Sequence, residues 1–292
     1  MKHLKSMLRH RPERIFHLTI IFLCLSLLLV IAIDVFNVFD LHTRWTADGQ
    51  RWYFYPYWYE VPVELPTQWL CLLMVVLIFF MSAGAAFQRG NLEEFDFCML
   101  FGVGATLMLF EDSLEVRHHI RFNLIDQGFE NYGTVITLVE LTYFATIGGL
   151  MVFVFLYFRH LFWERDKVRT YLIRGYVCYA IAVGSSWGGA AFSNLSDSFP
   201  NLYSWAGQFF VRILFFDGGE REAYFHVANE VVTERDGLPL EFWFMDRVWE
   251  ESWELLGATA LLVAALAFFF DSTANPEDAD QDQADQDDAD QS

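Results

Sequence analysis

WLCLLMVVLIFFMSAGAAF, Trp69 to Phe87, runs without one charged side chain and is long enough to cross a bilayer. In lipid every backbone amide must be satisfied within its own segment, so a helix is the form such a run takes. Similar runs recur along the 292 residues, of which 54% are hydrophobic. The expected fold is therefore all-α: a polytopic transmembrane helix bundle of about six spans, followed by a disordered acidic C-terminal tail. The spans are placed at about 15–39, 69–87, 95–114, 134–158, 172–192 and 251–270. Outer loops then cover 40–66 and 193–249, and the tail covers 271–292. Aromatic residues, 18% of the chain, crowd the ends of the apolar runs, as an interfacial belt does.

The flanks set the expected orientation. Residues 1–14, MKHLKSMLRHRPER, are basic and lead into an apolar run too long for a signal-peptide core, with no small-residue cleavage site after it. They read as a signal anchor. With the N-terminus inside, the cytoplasmic flanks hold ten Lys and Arg in about 55 residues, against eight in about 106 on the outer side. Both termini are accordingly expected in the cytoplasm of a cell with this protein in its inner membrane.

Charge and motifs exclude several functions. The net charge is -19, and the tail alone carries nine acids and no Lys or Arg. No basic patch with interleaved aromatics is present, so nucleic acid is not an expected partner. The lipid bilayer is, with a membrane-protein partner or a homo-oligomer also open. Cys24, Cys71, Cys98 and Cys178 each fall in an apolar run, none in C-x-x-C spacing, and read as buried small hydrophobes. Phosphate-binding G-x-x-x-x-G-K, nucleophile-elbow G-x-S-x-G and zinc-binding H-E-x-x-H are all absent. Small-residue clusters at Ser82–Ala86, Gly102–Ala105, Gly148–Gly149 and Gly184–Ala191 are read as helix-packing positions, Gly184 and Gly188 having G-x-x-x-G spacing. SWAGQFFVRILFF, Ser204 to Phe216, suits an interfacial helix.

Two apolar runs are too short for the ~30 Å hydrocarbon core. Phe97–Phe110 and Leu255–Phe270 reach about 21 Å and about 24 Å at 1.5 Å per residue. Extending the first outward draws in Glu111, Asp112 and Glu115; extending the second draws in Glu254, Glu251 and Glu250. Glu140 lies near the outer end of the fourth span and Asp34 near the outer end of the first. Four helices thus put carboxylates in one outer layer. Carboxylates snorkel poorly and are costly in lipid, so they should face the bundle interior, where they share protons, pair with cations or bind a metal.

The spacing favours a metal. Glu111, Glu115 and His118 share one helix face, and Glu115-x-x-His118 has the spacing of carboxylate-bridged dimetal sites in helical bundles. Glu251-x-x-Glu254 adds two carboxylates, and Glu140 supplies a bridge. Glu111, Glu115, His118, Glu140, Glu251 and Glu254 are therefore the candidate ligands of a divalent transition metal. A second Glu-x-x-His is missing; His119 and His226 are the spare imidazoles. The plainer alternative is that acids at the start of the last helix complement its dipole and that Glu115 pairs with His119 or Arg117.

EDSLEVRHH (Glu111–His119) together with EESWELLGATALLVAA (Glu250–Ala265) resembles a scattered set of uncharacterised multi-pass prokaryotic membrane proteins. Those have an acid–histidine motif after one span and a Glu-Glu-x-x-Glu start to the last. The resemblance implies that the two segments meet in space and carries no activity with it. Three functions compete: an enzyme acting on a lipid or quinone-like molecule at the outer site, a proton- or cation-coupled transporter using the carboxylates as a relay, and an accessory or structural subunit.

Overall fold

The computed structural model describes residues 9, 11–36, 38–40, 63, 67–114, 116, 119–120, 123, 132–195, 202–214 and 244–273. These form seven α-helices: α1 Glu13–Val30, α2 Trp69–Gln88, α3 Leu92–Leu114, α4 Tyr132–Tyr157, α5 Asp166–Leu195, α6 Leu202–Leu214 and α7 Glu251–Thr273. Wide π turns extend α1 over Ile31–Val35 and precede α7 over Met245–Glu250. No strand occurs among the described residues. The tail expected from 271 onward starts later, because Asp271, Ser272 and Thr273 complete α7; beyond them it lies outside the described residues.

Among the described residues five segments are long and apolar enough to cross a membrane: Glu13–Ile33, Trp69–Gln88, Leu92–Leu114, Thr137–Tyr157 and Met245–Thr273. The expected span at 172–192 is not among them by composition, since α5 mixes arginine, glycine, serine and tyrosine into its sequence. Its length and neighbours nonetheless carry it through the bundle. Thirty residues make a helix of about 45 Å. α5 runs antiparallel to α7, with Arg165 Nη1 donating to Ser272 Oγ at one end and Tyr179 lying against Gly257 further along. The two short runs are resolved as well. α3 is 23 residues and α7 continues the turn before it, so both span by incorporating their acidic flanks.

α7 is the centre of the bundle, packed on α1, α2 and α5. Of its apolar window 72% is buried, against 12% for those of α1 and α4. Both α7 and α4 are apolar on all sides, which suits a helix enclosed by protein and equally one enclosed by lipid. Small side chains decide between them: Gly257, Ala258, Thr259, Ala260, Ala264, Ala265 and Ala267 leave α7 thin enough to be surrounded. Hydroxyls on the other spans bond within their own helix. Ser82, Thr106, Ser113, Thr142 and Thr146 each donate to the carbonyl four residues back, which satisfies them without a partner from outside.

The α2–α3 connection follows from its sequence. Gly90 has φ +73°, a left-handed conformation that costs a side-chain-bearing residue about 1–2 kcal/mol. Its N–H bonds to Phe87 O and that of Asn91 to Ala86 O, the paired bonds that close a helix C-terminus. Asn91 then caps α3, its Oδ1 accepting from Glu94 N. Glu94 is buried and held by Arg89, Asn91 and Ser272, so this turn is clasped to the end of α7. Lys167 Nζ lies 3.5 Å from Glu13 at the same end, where Arg165 also caps the Phe268 ring.

Above this clasp lies an aromatic cluster. Phe97 meets Phe268 at 5.1 Å between ring centroids, Phe158 at 5.7 Å, Phe162 at 5.8 Å, and Phe79 and Phe101 each at 5.9 Å. Because lipid tails are as apolar as the core, packing rather than transfer from water holds these rings together. Phe97→Ala opens roughly 100 Å³, which at about 24 cal/mol per Å³ costs about 2 kcal/mol. Unfolding in mixed micelles should show that loss, while Phe153→Ala on the exposed face of α4 should cost less than about 0.5 kcal/mol. Equal losses would contradict the packing described here.

The glycine clusters divide. Of the four small-residue stretches, Gly102–Ala105 packs closely: a β-carbon on Gly102 would sit 2.9 Å from Phe80 and one on Gly104 would sit 2.2 Å from Met151 Sδ. Gly84, Gly148, Gly149 and Gly184 have nothing within 4 Å of that position, so Gly184 is not a helix contact despite its G-x-x-x-G spacing. α5 instead makes its close approach through Gly175, which meets α7 at Leu261 and beside Gly257. α6 covers positions two residues earlier than expected for the interfacial helix. It rests its Phe210 ring against Phe244 and Trp249, and leaves Trp205, Phe209 and Ile213 exposed at four-residue intervals.

Candidate functional site

The start of α2, the end of α3 and the start of α7 come together at the end of the bundle opposite the Arg89–Glu94 clasp. Gln68 sits one residue before α2 and is completely buried. Its Nε2 donates to Asp112 Oδ2 at 2.7 Å, on the last turn of α3, and to Glu254 Oε2 at 2.9 Å, on the first turn of α7. One amide group therefore joins three helices through two hydrogen bonds to carboxylates, the stronger class of neutral-donor bond. The Gln68 Oε1 on the other side of that amide is buried without a hydrogen-bond partner among the described residues.

A cavity of about 230 Å³ opens next to these carboxylates. Glu111, Asp112 and Glu254 mark its acidic end. Met108, Ile147, Met151, Val152, Val183 and Leu261 form its apolar walls, and Tyr143, Phe144, Tyr176 and Tyr179 line it with rings. No Lys, Arg or His is among the described residues lining it. Tyr176 donates its hydroxyl to Met151 O at 2.7 Å, which ties α5 to α4 across the cavity. The Tyr179 hydroxyl is buried, lies within electrostatic range of Asp112 and Glu254, and has no hydrogen-bond partner among the described residues. Val152 and Gly148 are both exposed as well as lining, so the cavity has its mouth beside α4, at a depth inside the apolar span Thr137–Tyr157.

Below Gln68 a small polar layer continues toward the middle of the bundle. Thr259 Oγ1 is 3.4 Å from Thr19 Oγ1 and 3.9 Å from Cys71 Sγ, which links α1, α2 and α7. The Cys71 thiol accordingly sits in the protein interior, as does that of Cys98 and Cys178, whereas Cys24 is exposed on α1.

The sequence candidates fall into three groups. Glu111 and Glu254 line the same cavity, and Glu251 stands partly buried on the first turn of α7. Glu140 lies on α4, with only its backbone described. Glu115 and His118 lie outside the described residues, and so does His226. Asp34 is placed by its backbone on the π turn after α1. No group of three or more His, Cys, Asp or Glu side chains that could hold a metal occurs among the described residues, a set that lacks Glu115 and His118.

Residues central to the site carry no charge and were missed for that reason. Gln68 stands one position before the apolar run that fixed the second span, and a polar residue there was open to inspection. Tyr179 has no such signal; its role depends on the register of α5 on α7. A scan against protein-family models finds no match, nor do searches of curated proteins and of solved structures.

Proposed function

We propose that this membrane protein takes up an amphipathic molecule, lipid- or quinone-like in build, and handles its polar head at Glu111, Asp112 and Glu254. The observation that carries the reading is the division of the cavity into acidic end and apolar walls, with a mouth at membrane depth. An apolar cavity of about 150 Å³ holds benzene, so 230 Å³ accepts a substituted ring or the first part of a chain, the rest of which leaves past Val152. Carboxylates then accept hydrogen bonds from the head, or its proton.

Gly148→Leu tests this directly. Nothing lies within 4 Å of a β-carbon on Gly148, so the leucine enters open space and the fold should keep its stability within about 0.5 kcal/mol. Uptake of a phenylalkyl alcohol by the protein in lipid nanodiscs should fall at least tenfold. Unchanged uptake would remove the cavity from the proposal.

The acidic end is proposed to face outward and both termini the cytoplasm. In support, Arg89, Arg159, Arg165, Lys167 and Arg169 all gather at the opposite end. A second reading, proton- or cation-coupled transport, has one observation in its favour. Glu94 is a buried carboxylate at that opposite end, which gives the bundle an acid at each side. Its bonds to Arg89, Asn91 and Ser272 suit a clasp better than a relay. Proton flux into vesicles that survives Glu94→Gln would count against it.

A further inference from the structure

We infer that the molecule this cavity takes carries its polar group within its length, between two apolar arms, as a secondary alcohol does; the inference rests on the amphiphile reading above. A second space on α4 carries the argument. An apolar groove of about 560 Å³ runs between α3 and α4, walled by Leu107 on α3 and by Val135, Leu138, Val139, Thr142 and Thr146 on α4. Thr142 and Thr146 spend their hydroxyls on carbonyls of α4 itself, so what these walls offer a ligand is hydrocarbon contact. Tyr143 and Ile147 line both the groove and the cavity, which makes the two spaces neighbours across one edge of α4.

The register of α3 on α4 fixes where the acids stand along this pair of spaces. Phe97 meets Phe158 at 5.7 Å, and a β-carbon on Gly104 would run into Met151 Sδ, so the two segments are antiparallel and in step at both points. At 1.5 Å per residue, Glu111 and Asp112 stand about 10–12 Å from the Gly104–Met151 level toward the acidic end. On the same scale Val152 lies about 2 Å the other way, and Val135 about 24 Å toward the acidic end. The two acids are therefore at the middle of an apolar track about 26 Å long, with cavity on one side of them and groove on the other. Thr137, where the apolar span of α4 begins, is about 21 Å from that level, so the acids lie about 10 Å inside the span.

That depth decides which polar group gains most. A terminal hydroxyl rests at the water interface and must give up its hydration to reach these acids. A hydroxyl in mid-chain sits in hydrocarbon unless the chain bends back, and there it is costly because it lacks a partner. Carboxyl oxygens at the same depth accept its hydrogen bond. Its two arms then occupy spaces that already exist, one leaving past Val152 and the other crossing Tyr143 and Ile147 into the groove. A molecule with its head at one end would fill the cavity and leave the groove to bulk lipid.

The test uses the full chain in lipid nanodiscs, with empty discs subtracted, and two tritiated isomers, pentadecan-8-ol and pentadecan-1-ol. Equal composition makes their partition into the discs closely similar, so the difference reports the protein. The secondary alcohol should bind at least tenfold more tightly. Leu138→Trp and Thr142→Trp, which add bulk to the groove, should each remove most of that preference; as a ratio taken on one preparation, it does not depend on the fraction folded. Binding of 4-phenylbutan-1-ol without any preference between the isomers overturns the inference and leaves the amphiphile cavity standing. A preference untouched by both variants overturns it too, since the groove would then hold bulk lipid only. Failure of all three alcohols to bind the wild type removes the amphiphile reading, and the inference with it.

Discussion

Gln68→Leu should be the most damaging single replacement at the acidic end, lowering stability by about 3–5 kcal/mol. Leucine fills the space but withdraws both N–H groups, so Asp112 and Glu254 each lose a hydrogen bond of a kind worth about 1.5–3 kcal/mol. They are also brought close without a donor between them, and like charges near each other in a poorly solvated site repel. Unfolding in mixed micelles reads this out, and a loss below about 1 kcal/mol would mean that Gln68 acts through packing alone.

Gly257→Val is expected to cost about 3 kcal/mol and to damage the site as well. A β-carbon there would lie 2.6 Å from Tyr179 Cδ2, and one on Gly175 would lie 2.6 Å from Leu261 Cδ2. Overfilling a packed contact costs about 1–3 kcal/mol, and valine places two further methyl groups against a ring that has α7 beneath it. The ring must move, and its hydroxyl moves with it. Affinity for the phenylalkyl alcohol should therefore fall along with stability. Gly175→Val should cost a similar amount of stability with a smaller effect on affinity, because Leu261 rather than Tyr179 gives way. Gly184→Ala is the internal control. It meets open space, and it should raise stability by up to about 1 kcal/mol through helix propensity. If Gly257→Val behaved like Gly184→Ala, α5 and α7 would not be packed as described.

Five of the six expected spans were legible in the sequence, and so was the lengthening of the two short ones by acidic flanks. α3 ends on Glu111 to Leu114 and the last helix begins beyond Glu250 because a membrane sets a minimum length and the apolar runs fall short of it. The central position of α7 was harder to read. Hydropathy reports transfer into an apolar medium, and Leu156 facing lipid scores the same as Leu261 facing protein. Only the alanine and glycine content distinguishes the two, and similar content at Gly148–Gly149 marks open space instead. Charge drew attention to the glutamates, and it drew attention away from Gln68, whose importance comes from having two donors on one nitrogen.

The helix at the centre of the bundle is also the last of the seven to leave the ribosome. Until α7 enters the membrane, α1 has no helix of the described set to pack on extensively, and α5 and α2 lack their main shared neighbour. The earlier spans then stand partly assembled, α2 packed on α3 through Phe79, Phe97 and Phe101, each helix stable because its own backbone is satisfied. Final assembly is completed after insertion, when Leu255–Phe268 arrives and joins α1, α2 and α5. A chain halted shortly before Glu251 would hold the α2–α3 pair but lack the helix that ties α1 and α5 to it, and would be open to degradation though every earlier span was in place.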